Sequence, residues 1–246
     1  MGLVVKFIAS NRRLSSRLKE VLAPENQRPE KEILLQVVND FITYAKNHKI
    51  VDVLELGPSD RPMGQRQKGI VFDGLDLEKI TDPHRFYDNY YPQSVERSFP
   101  KTYDIVFSFA LLEHVPHNQL TMENIFNGLK NGGATYHYVP NRFHPYALGI
   151  QLLGNKLQKL LVAILFPGDQ HRLGYPAYFN FCHVRGMKES FSRYPYQEIK
   201  ITPFYNGSGY FDFFFPLYAL VLIFELLCKK FQLAFFCSGM ILFARK

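Results

Sequence analysis

The sequence predicts an α/β protein built on a doubly wound, mostly parallel sheet with helices on both faces. Short runs of β-branched and aromatic residues alternate along the chain with segments of helical apolar spacing. This alternation is typical of a parallel sheet, because each crossover between parallel strands usually contains a helix. The predicted strands cover residues 50–56, 69–77, 103–109, 134–139, 196–201 and a closing run at 234–246.

Length and composition favour a globular chain with one core. The protein has 246 residues, of which 47% are hydrophobic and 21% charged, and a chain of this size buries a core without disulfides. The net charge of +7 suggests an anionic neighbour such as a membrane surface or an acidic substrate, with a solvated basic surface as the plain alternative. There is no long Lys/Arg run and no recognisable nucleic-acid-binding motif, so no nucleic-acid partner is expected.

The cysteines indicate a reducing compartment. Cys182, Cys228 and Cys237 are odd in number and form no Cys-x-x-Cys pair. This pattern argues against a disulfide framework and against a zinc site, so no metal is predicted. The apolar stretch at the N-terminus is short and interrupted by Lys6, which does not predict a secretory signal. We therefore expect a cytoplasmic protein.

The first 32 residues differ in character from the rest. Residues 1–22 have the spacing of a basic amphipathic helix, with Leu3, Val4, Phe7, Ile8, Leu14 and Leu18 on a broad apolar face. A polar, proline-marked break at 23–31 follows, and helical spacing resumes over 33–46. We divide the chain into an N-terminal helix and linker (1–32) and a single α/β domain (33–246).

The strongest local motif is VLELGPSDRP, at residues 53–62. A strand ends in Glu55 and leads into a turn at Gly57, Pro58 and Ser59, where a ligand could approach the backbone closely. The helix that usually follows such a turn offers its positive N-terminal end to a ligand. The dinucleotide fingerprint G-x-G-x-x-G is absent, because Ser59 stands at a glycine position. An ordinary strand-to-helix turn is the alternative.

A second acidic residue follows at the end of the next predicted strand. Asp76, followed by Leu77, lies about 20 residues after Glu55, the spacing at which doubly wound folds place an acid on ribose hydroxyls. A carboxylate suits two vicinal hydroxyls because it offers two acceptor oxygens. The alternative is a solvated aspartate at a strand end.

Two further motifs complete a recognisable series. They are YDIVFSFALLEHV at 103–115 and LKNGGATYHYVPN at 129–141. With LELGPSDRP, and in this order and spacing, they resemble the class I methyltransferases that use S-adenosyl-L-methionine (SAM), in particular the broad group that includes ubiquinone and menaquinone methyltransferases. The resemblance covers residues 33–142 and the closing strand ILFARK. It implies a Rossmann-like fold with a seven-stranded sheet and an antiparallel closing strand.

The resemblance also implies roles for individual residues. Glu55 and Gly57, with Pro58 and Ser59 in the same turn, would line the methionine and ribose end of SAM, and Asp76, followed by Leu77, would hold the ribose hydroxyls. The segment Ser108, Phe109 and Ala110 would pass along the cofactor near the reacting methyl group. The family's usual adenine-contacting acid is not evident, because residues 81–99 contain no clear strand; Tyr87 and Asp88 are the weak candidates.

The methyl acceptor is less clearly indicated. No Asn-Pro-Pro-Tyr-type motif for amino-group methylation is present, so we expect O-methylation of a small-molecule, sugar or lipid-like acceptor, with C-methylation next. A hydroxyl acceptor must lose a proton, for which histidine is suited near neutral pH. His144 and His171 are the candidate bases. A catalytically inactive methyltransferase-like module at a membrane surface is the alternative function.

Two apolar stretches, at about 147–183 and 205–230, are predicted to form acceptor-side or membrane-surface insertions. The run at 211–230 is too short for a confident spanning helix, and Pro216 is expected to interrupt it. It is expected either to cover the sheet edge or a second subunit, as in a homodimer, or to make peripheral contact with a membrane surface.

Overall fold

A computed structural model describes residues 2–24, 29–46, 51–59, 62–64, 66–154 and 176–246. The helices are α1 (Gly2–Leu22), α2 (Glu30–Lys46), α3 (Asn118–Gly128), α4 (145–154 within the described residues), α5 (Val184–Phe191) and α6 (Phe215–Lys230). The strands are β1 (Val51–Leu56), β2 (Ile70–Asp76), β3 (Asn89–Pro92), β4 (Tyr103–Phe109), β5 (Leu129–Pro140), β6 (Glu198–Phe204) and β7 (Gly239–Arg245).

The strands form one seven-stranded sheet in the order β3-β2-β1-β4-β5-β7-β6. The first five strands of that order are parallel to one another, whereas β7 runs antiparallel to both β5 and β6. The predicted mostly parallel sheet with an antiparallel closing strand is therefore confirmed.

Helices cover both faces of the sheet, as a parallel sheet requires. On one face, α2 contributes Leu34 and Val38 to a core with Val53 of β1. On the other face, Ile125 of α3 packs with Leu54 of β1, and α5 buries Met187 and Phe191 in a neighbouring cluster. The central strands are buried on both faces, and apolar residues predominate in them for that reason.

Two local expectations were wrong. The segment 81–99, in which no strand was expected, contains the short edge strand β3. Asn89 and Pro92 of β3 pair in register with Asp73 and Asp76 of β2. Pro216 does not interrupt the apolar run, because it stands in the first turn of α6, where a missing N–H costs no helical hydrogen bond.

The N-terminal helix α1 forms as expected, and it is fixed to the rest of the protein through α6. Asn11 accepts a hydrogen bond from the Phe215 backbone N–H at 2.8 Å, and Arg12 pairs with Asp212 at 3.2 Å. Ala23 packs with residues of α6. In the part of the chain that the structure describes, no helix is both long and apolar enough to span a membrane.

Candidate functional site

The predicted ligand-binding turns meet where the order of the strands reverses. The chain leaves β1 towards β2 on one side, whereas β4 lies on the other side of β1, and this opening at the carboxyl ends is where doubly wound sheets bind ligands. Gly57 follows β1 and Leu111 follows β4. A β-carbon built on Gly57 would lie 2.6 Å from Leu111 Cδ1, so the two turns are in close contact and the Leu111 side chain would have to shift to admit a side chain at position 57.

The turn after β1 has backbone conformations that favour glycine. Gly57 has φ +64° and Ser59 has φ +49°, both in the left-handed region, which costs a non-glycine residue about 1–2 kcal/mol. Ser59 therefore occupies a glycine-like position, as the motif comparison implied. Pro58 between them is buried, and the Gly57 N–H donates to the Leu75 carbonyl of β2 at 2.8 Å.

Asp76 connects the ends of β1 and β2. Its Oδ2 accepts from the Ser59 N–H at 2.8 Å and its Oδ1 accepts from the Glu78 N–H at 3.2 Å. Each carboxylate oxygen keeps a second lone pair, so the group can still accept from two hydroxyls of a ligand. Leu77, the next residue, is exposed.

Glu55 organises the segment that follows the turn. Its Oε1 accepts from the Met63 N–H at 2.9 Å, and its Oε2 accepts from the Tyr87 hydroxyl at 2.9 Å and the Gly64 N–H at 3.4 Å. Burial raises the pKa of Glu55 to about 7, although these hydrogen bonds act in the opposite direction. The carboxyl group therefore holds residues 62–64 in place from inside the protein.

The end of β4 combines a fixed strand with a strained turn. The Ser108 hydroxyl is 2.7 Å from His137 Nδ1, and His137 Nε2 is 2.5 Å from the Thr135 hydroxyl. Thr135 donates its own proton to the Val106 carbonyl, so it accepts from Nε2–H and Ser108 donates to Nδ1. Burial lowers the pKa of His137 to about 3, which keeps the ring neutral.

Beyond Ser108 the chain turns sharply towards the opening. Phe109 stacks on Tyr138 of β5 with ring centroids 4.6 Å apart, and Ala110 has φ +52°. The Ala110 N–H donates to the Tyr138 carbonyl at 3.0 Å. Among the described residues, six that are not glycine have a positive φ, and two of them, Ser59 and Ala110, lie at this opening.

The sequence matches the family described as "Methyltransferase domain" over residues 8–197. The chain belongs to the class I SAM-dependent methyltransferase family. S-adenosyl-L-methionine is accordingly its methyl donor. The match includes every predicted cofactor motif, and the resemblance drawn from the motifs is confirmed.

This fold is shared by a solved structure, and two others are less similar. A SAM-dependent methyltransferase from Archaeoglobus fulgidus superposes with a TM-score of 0.50 at 14% identity, covering 93% of this chain and 98% of that chain. The N-methyltransferase NodS from Bradyrhizobium japonicum gives 0.48 at 10% identity, with 98% of each chain covered. Phosphoethanolamine N-methyltransferase 2 from Haemonchus contortus gives 0.44 at 14% identity; 84% of this chain covers 52% of that one, about half its length. No curated protein matches the chain.

The weak adenine candidates of this methyltransferase lie before β3, not after it. Tyr87 is fully buried, and its hydroxyl donates a hydrogen bond to Glu55. Asp88 pairs with Arg66 at 2.5 Å and accepts from the Phe72 N–H at 2.9 Å. Both side chains are engaged in holding the β2–β3 edge together, whereas the carboxyl end of β3 is at Pro92.

A residue that sequence reasoning left out lies on the turn after β4. Glu113 is 4% exposed, and among the described residues its Oε2 has no hydrogen-bond partner. Burial raises the pKa of this carboxyl to about 8. Its backbone carbonyl accepts from the N–H groups of Tyr178 and Phe179 at 2.7 and 3.1 Å, so the segment after the undescribed residues 155–175 covers this turn.

Tyr138 and Tyr146 lie close enough to Glu113 to interact with it electrostatically. Tyr146 of α4 stacks on Tyr210 with ring centroids 3.9 Å apart. Burial raises the pKa values of Tyr138 and Tyr146 well above their ordinary value, and Tyr210 and Glu113 raise them further. Glu113, Tyr138, Tyr146 and Tyr210 form what we term the acceptor-side cluster. The LEHV motif contained Glu113, but burial without a partner cannot be recognised in a motif.

His144 is fully enclosed, and His171 lies outside the described residues. His144 Nδ1 accepts from the Tyr146 N–H at 3.4 Å, and Nε2 is 3.2 Å from Glu225 Oε1, in ion-pair range but not aligned for a hydrogen bond. Glu225 also accepts from the Gly207 and Ser208 N–H groups. The ring thus joins the chain after β5 to α6.

Proposed function

We propose that this methyltransferase transfers the methyl group to a hydroxyl of a hydrophobic, lipid-like acceptor, with Glu113 as the group that takes the hydroxyl proton. The observation that carries the proposal is the buried carboxyl of Glu113, one oxygen of which has no partner among the described residues. The other oxygen, Oε1, lies 3.8 Å from His114 Nε2, and burial lowers the pKa of His114, which favours a neutral ring that does not compensate the carboxylate charge. A buried carboxyl without a charged partner is costly to a fold. Such groups are concentrated at functional sites, where the cost is offset by a role in binding or proton transfer.

The cofactor part of the proposal uses the turns at the carboxyl ends of β1, β2 and β4. Gly57, Pro58 and Ser59 would bring the backbone close to SAM, and Glu55 would keep the segment beyond them in place. Asp76 would accept from the ribose hydroxyls through its remaining lone pairs, beside Leu77. The close contact between Gly57 and Leu111 supports a site in which backbone, and not side chain, faces the ligand.

Ser108, Phe109 and Ala110 would line the path of the cofactor towards the acceptor. Because the Ser108 hydroxyl already donates to His137, we assign it to fixing the end of β4. Phe109 and the backbone of Ala110 are the groups that remain to contact the cofactor.

The chemistry requires alignment and one proton acceptor. When bound, SAM supplies a methyl carbon on a positively charged sulfur, which leaves with the bonding electron pair. Glu113 would receive the proton that the acceptor hydroxyl loses as its oxygen forms the bond to carbon. A base with a pKa of about 8 is suited to this transfer near neutral pH, because it is partly ionised and still basic. His144 would fix Tyr146 and α6 in this scheme, since its ring is enclosed.

The surroundings of the acceptor-side cluster support an apolar acceptor. Tyr146 and Tyr210 present stacked rings, and α6 and α4 themselves carry exposed apolar side chains at Leu220, Ile223 and Leu152. We propose that residues 33–246 form the catalytic domain, with acceptor-side segments at 147–183 and 205–230, and that 1–32 is an addition to it. All three cysteines are free and buried, which suits the cytoplasmic location proposed from the sequence.

The test is methyl transfer from tritiated SAM to three matched probes: dodecyl glucoside, 4-nonylphenol and dodecylamine. We expect label in a hydroxyl probe and not in the amine, with a rate that rises with pH to an apparent pKa of about 8. Glu113→Gln should lower kcat at least tenfold and change SAM affinity less than twofold, whereas the exposed control Glu189→Gln should change neither. Label in the amine alone, or full activity of Glu113→Gln, would contradict the proposal.

A further inference from the structure

The N-terminal helix α1 presents a surface that the rest of the described chain does not cover. Its anchored face consists of Ile8, Asn11, Ser15 and Leu18, of which Asn11 and Ser15 bond to the chain around the start of α6. This is not the whole apolar face that the sequence predicts. Phe7 and Leu14 were expected on that face, yet they remain exposed beside it.

The exposed side chains form a stripe. Phe7, Leu14 and Val21 are 54%, 44% and 76% exposed, and a spacing of seven residues is nearly two helical turns, so the three lie almost in line along the helix. Isolated exposed apolar residues are ordinary, whereas apolar side chains gathered on one surface favour an interaction site, and the alignment puts these three on one side of the helix. We call this set the α1 stripe.

Basic residues flank the α1 stripe on the side away from α6. Lys6, Arg13 and Arg17 are exposed, and helical geometry puts them along one edge of the stripe, with the anchored face along the other. An apolar stripe bordered by Lys and Arg is the pattern of helices that lie in the interface of a lipid bilayer.

The helix that holds α1 has an exposed apolar stripe of its own. Leu220, Ile223 and Leu227 of α6 are spaced by three and four residues and are all exposed, so they share one face of the helix. Phe231 continues this face beyond the last turn, next to the exposed Lys230. Apolar and basic side chains thus occur together on both helices.

We propose that α1, supported by the exposed face of α6, docks this methyltransferase on the surface of an anionic lipid bilayer. The charge selects this occupant over a second copy of the chain. A partner copy with the same net charge of +7 would bring like charges towards the basic flank, whereas anionic headgroups neutralise it. The inference extends the proposed function in that the bilayer would hold the lipid-like acceptor, but docking itself requires no methyl transfer.

The experiment is co-sedimentation of the full chain with large unilamellar vesicles of phosphatidylcholine alone or with 30% phosphatidylglycerol. Three basic side chains near an anionic bilayer are expected to raise partitioning by roughly a hundredfold, and 0.5 M KCl should remove most of that gain. Equal binding to both vesicle types, or none to either, overturns the proposal.

Matched variants localise the surface. Phe7→Asp with Leu14→Asp should lower partitioning at least tenfold, whereas Val5→Asp, an exposed apolar position on the opposite side of α1, should change it less than twofold. Arg13→Gln with Arg17→Gln should reduce the preference for anionic vesicles, and Arg185→Gln with Lys188→Gln, on α5, should not. If the stripe and control variants bind vesicles equally well, the assignment to α1 is wrong.

Two further readouts separate this proposal from its rivals. Sedimentation velocity of the wild type should give a monomer, and a dimer that Phe7→Asp with Leu14→Asp dissociates would assign the stripe to a second copy and overturn docking. Titration of each variant with SAM checks that the fold is retained. Vesicle binding by a protein that fails in methyl transfer would refute the proposed function and leave the docking surface standing.

Discussion

The pH dependence of stability offers a test of Glu113 that needs no knowledge of the acceptor. Burial raises the pKa of this carboxyl from an ordinary 4.5 to about 8. Between these values the folded protein keeps a proton that the unfolded chain has lost. The stabilising effect is therefore fully present below about pH 4.5 and is lost as the pH rises to about 8.

The size of the effect follows from the shift. Each unit of pKa difference corresponds to about 1.4 kcal/mol, so the wild type should lose on the order of 5 kcal/mol across this window. Glu113→Gln has nearly the shape of the protonated acid and carries no charge at any pH, so it lacks this loss. Glu55, whose pKa burial raises to about 7, titrates in both proteins and cancels in their difference.

The assay is urea unfolding of the wild type, Glu113→Gln and the surface control Glu189→Gln at one-unit steps from pH 5 to pH 9. The stability of Glu113→Gln relative to the wild type should grow by about 1.4 kcal/mol per unit to about pH 8 and then level off. Glu189→Gln should follow the wild type. A difference between the wild type and Glu113→Gln that stays constant over this range would refute a buried, uncompensated carboxyl at this position.

Three further substitutions probe the site. Gly57→Val should lower SAM affinity at least tenfold in calorimetric titration, because a β-branched residue at φ +64° is strained and meets Leu111; unchanged affinity would remove the turn from the site. Ser59→Gly should keep SAM affinity within threefold and stability within about 1 kcal/mol. Glycine relieves the left-handed strain but loses more conformational entropy on folding, and the two effects nearly cancel; a tenfold loss of SAM affinity would show that the serine side chain binds. Glu225→Ala should cost about 3–5 kcal/mol in urea unfolding, because it strands His144 and two backbone N–H groups; a loss below 1 kcal/mol would contradict this.

The parts of the fold that the sequence predicts are those in which periodicity and burial agree. The strands that became β1, β2 and β4 are buried on both faces, and so they are short runs in which β-branched, aromatic and other apolar residues predominate. The edge strand β3 has only four residues, is partly exposed and ends in proline. It therefore has no run of buried apolar residues by which it could be recognised, and only its backbone hydrogen bonds to β2 define it as a strand.

The face of α1 was the less predictable feature. Hydrophobic periodicity places apolar side chains inwards, yet the helix buries Asn11 and Ser15 because Phe215 and Asp212 offer them hydrogen bonds. Such partners lie about 200 residues away in the chain and cannot be inferred from local spacing. The same tertiary contacts leave Phe7 and Leu14 exposed.

The candidate site divides in a similar way. The positions of Gly57, Ser59 and Asp76 follow from strand ends and the turn motif, because parallel strands bring their carboxyl ends to one edge. Glu113 could not be identified in advance, since its importance depends on what surrounds it. Ser108 was predicted by position, but only its hydrogen bond to His137 indicates that the hydroxyl is already occupied.

We propose that the turns after β1 and β2 bind SAM, with Asp76 accepting hydrogen bonds from its ribose hydroxyls. The direct test is calorimetric titration of the wild type, Asp76→Ala and Asp40→Ala with SAM and S-adenosylhomocysteine, Asp40 being an exposed aspartate of α2. We expect the wild type and Asp40→Ala to bind SAM with micromolar affinity, and Asp76→Ala to bind it at least tenfold more weakly. Wild-type affinity in Asp76→Ala, or no binding by the folded wild type, would contradict it.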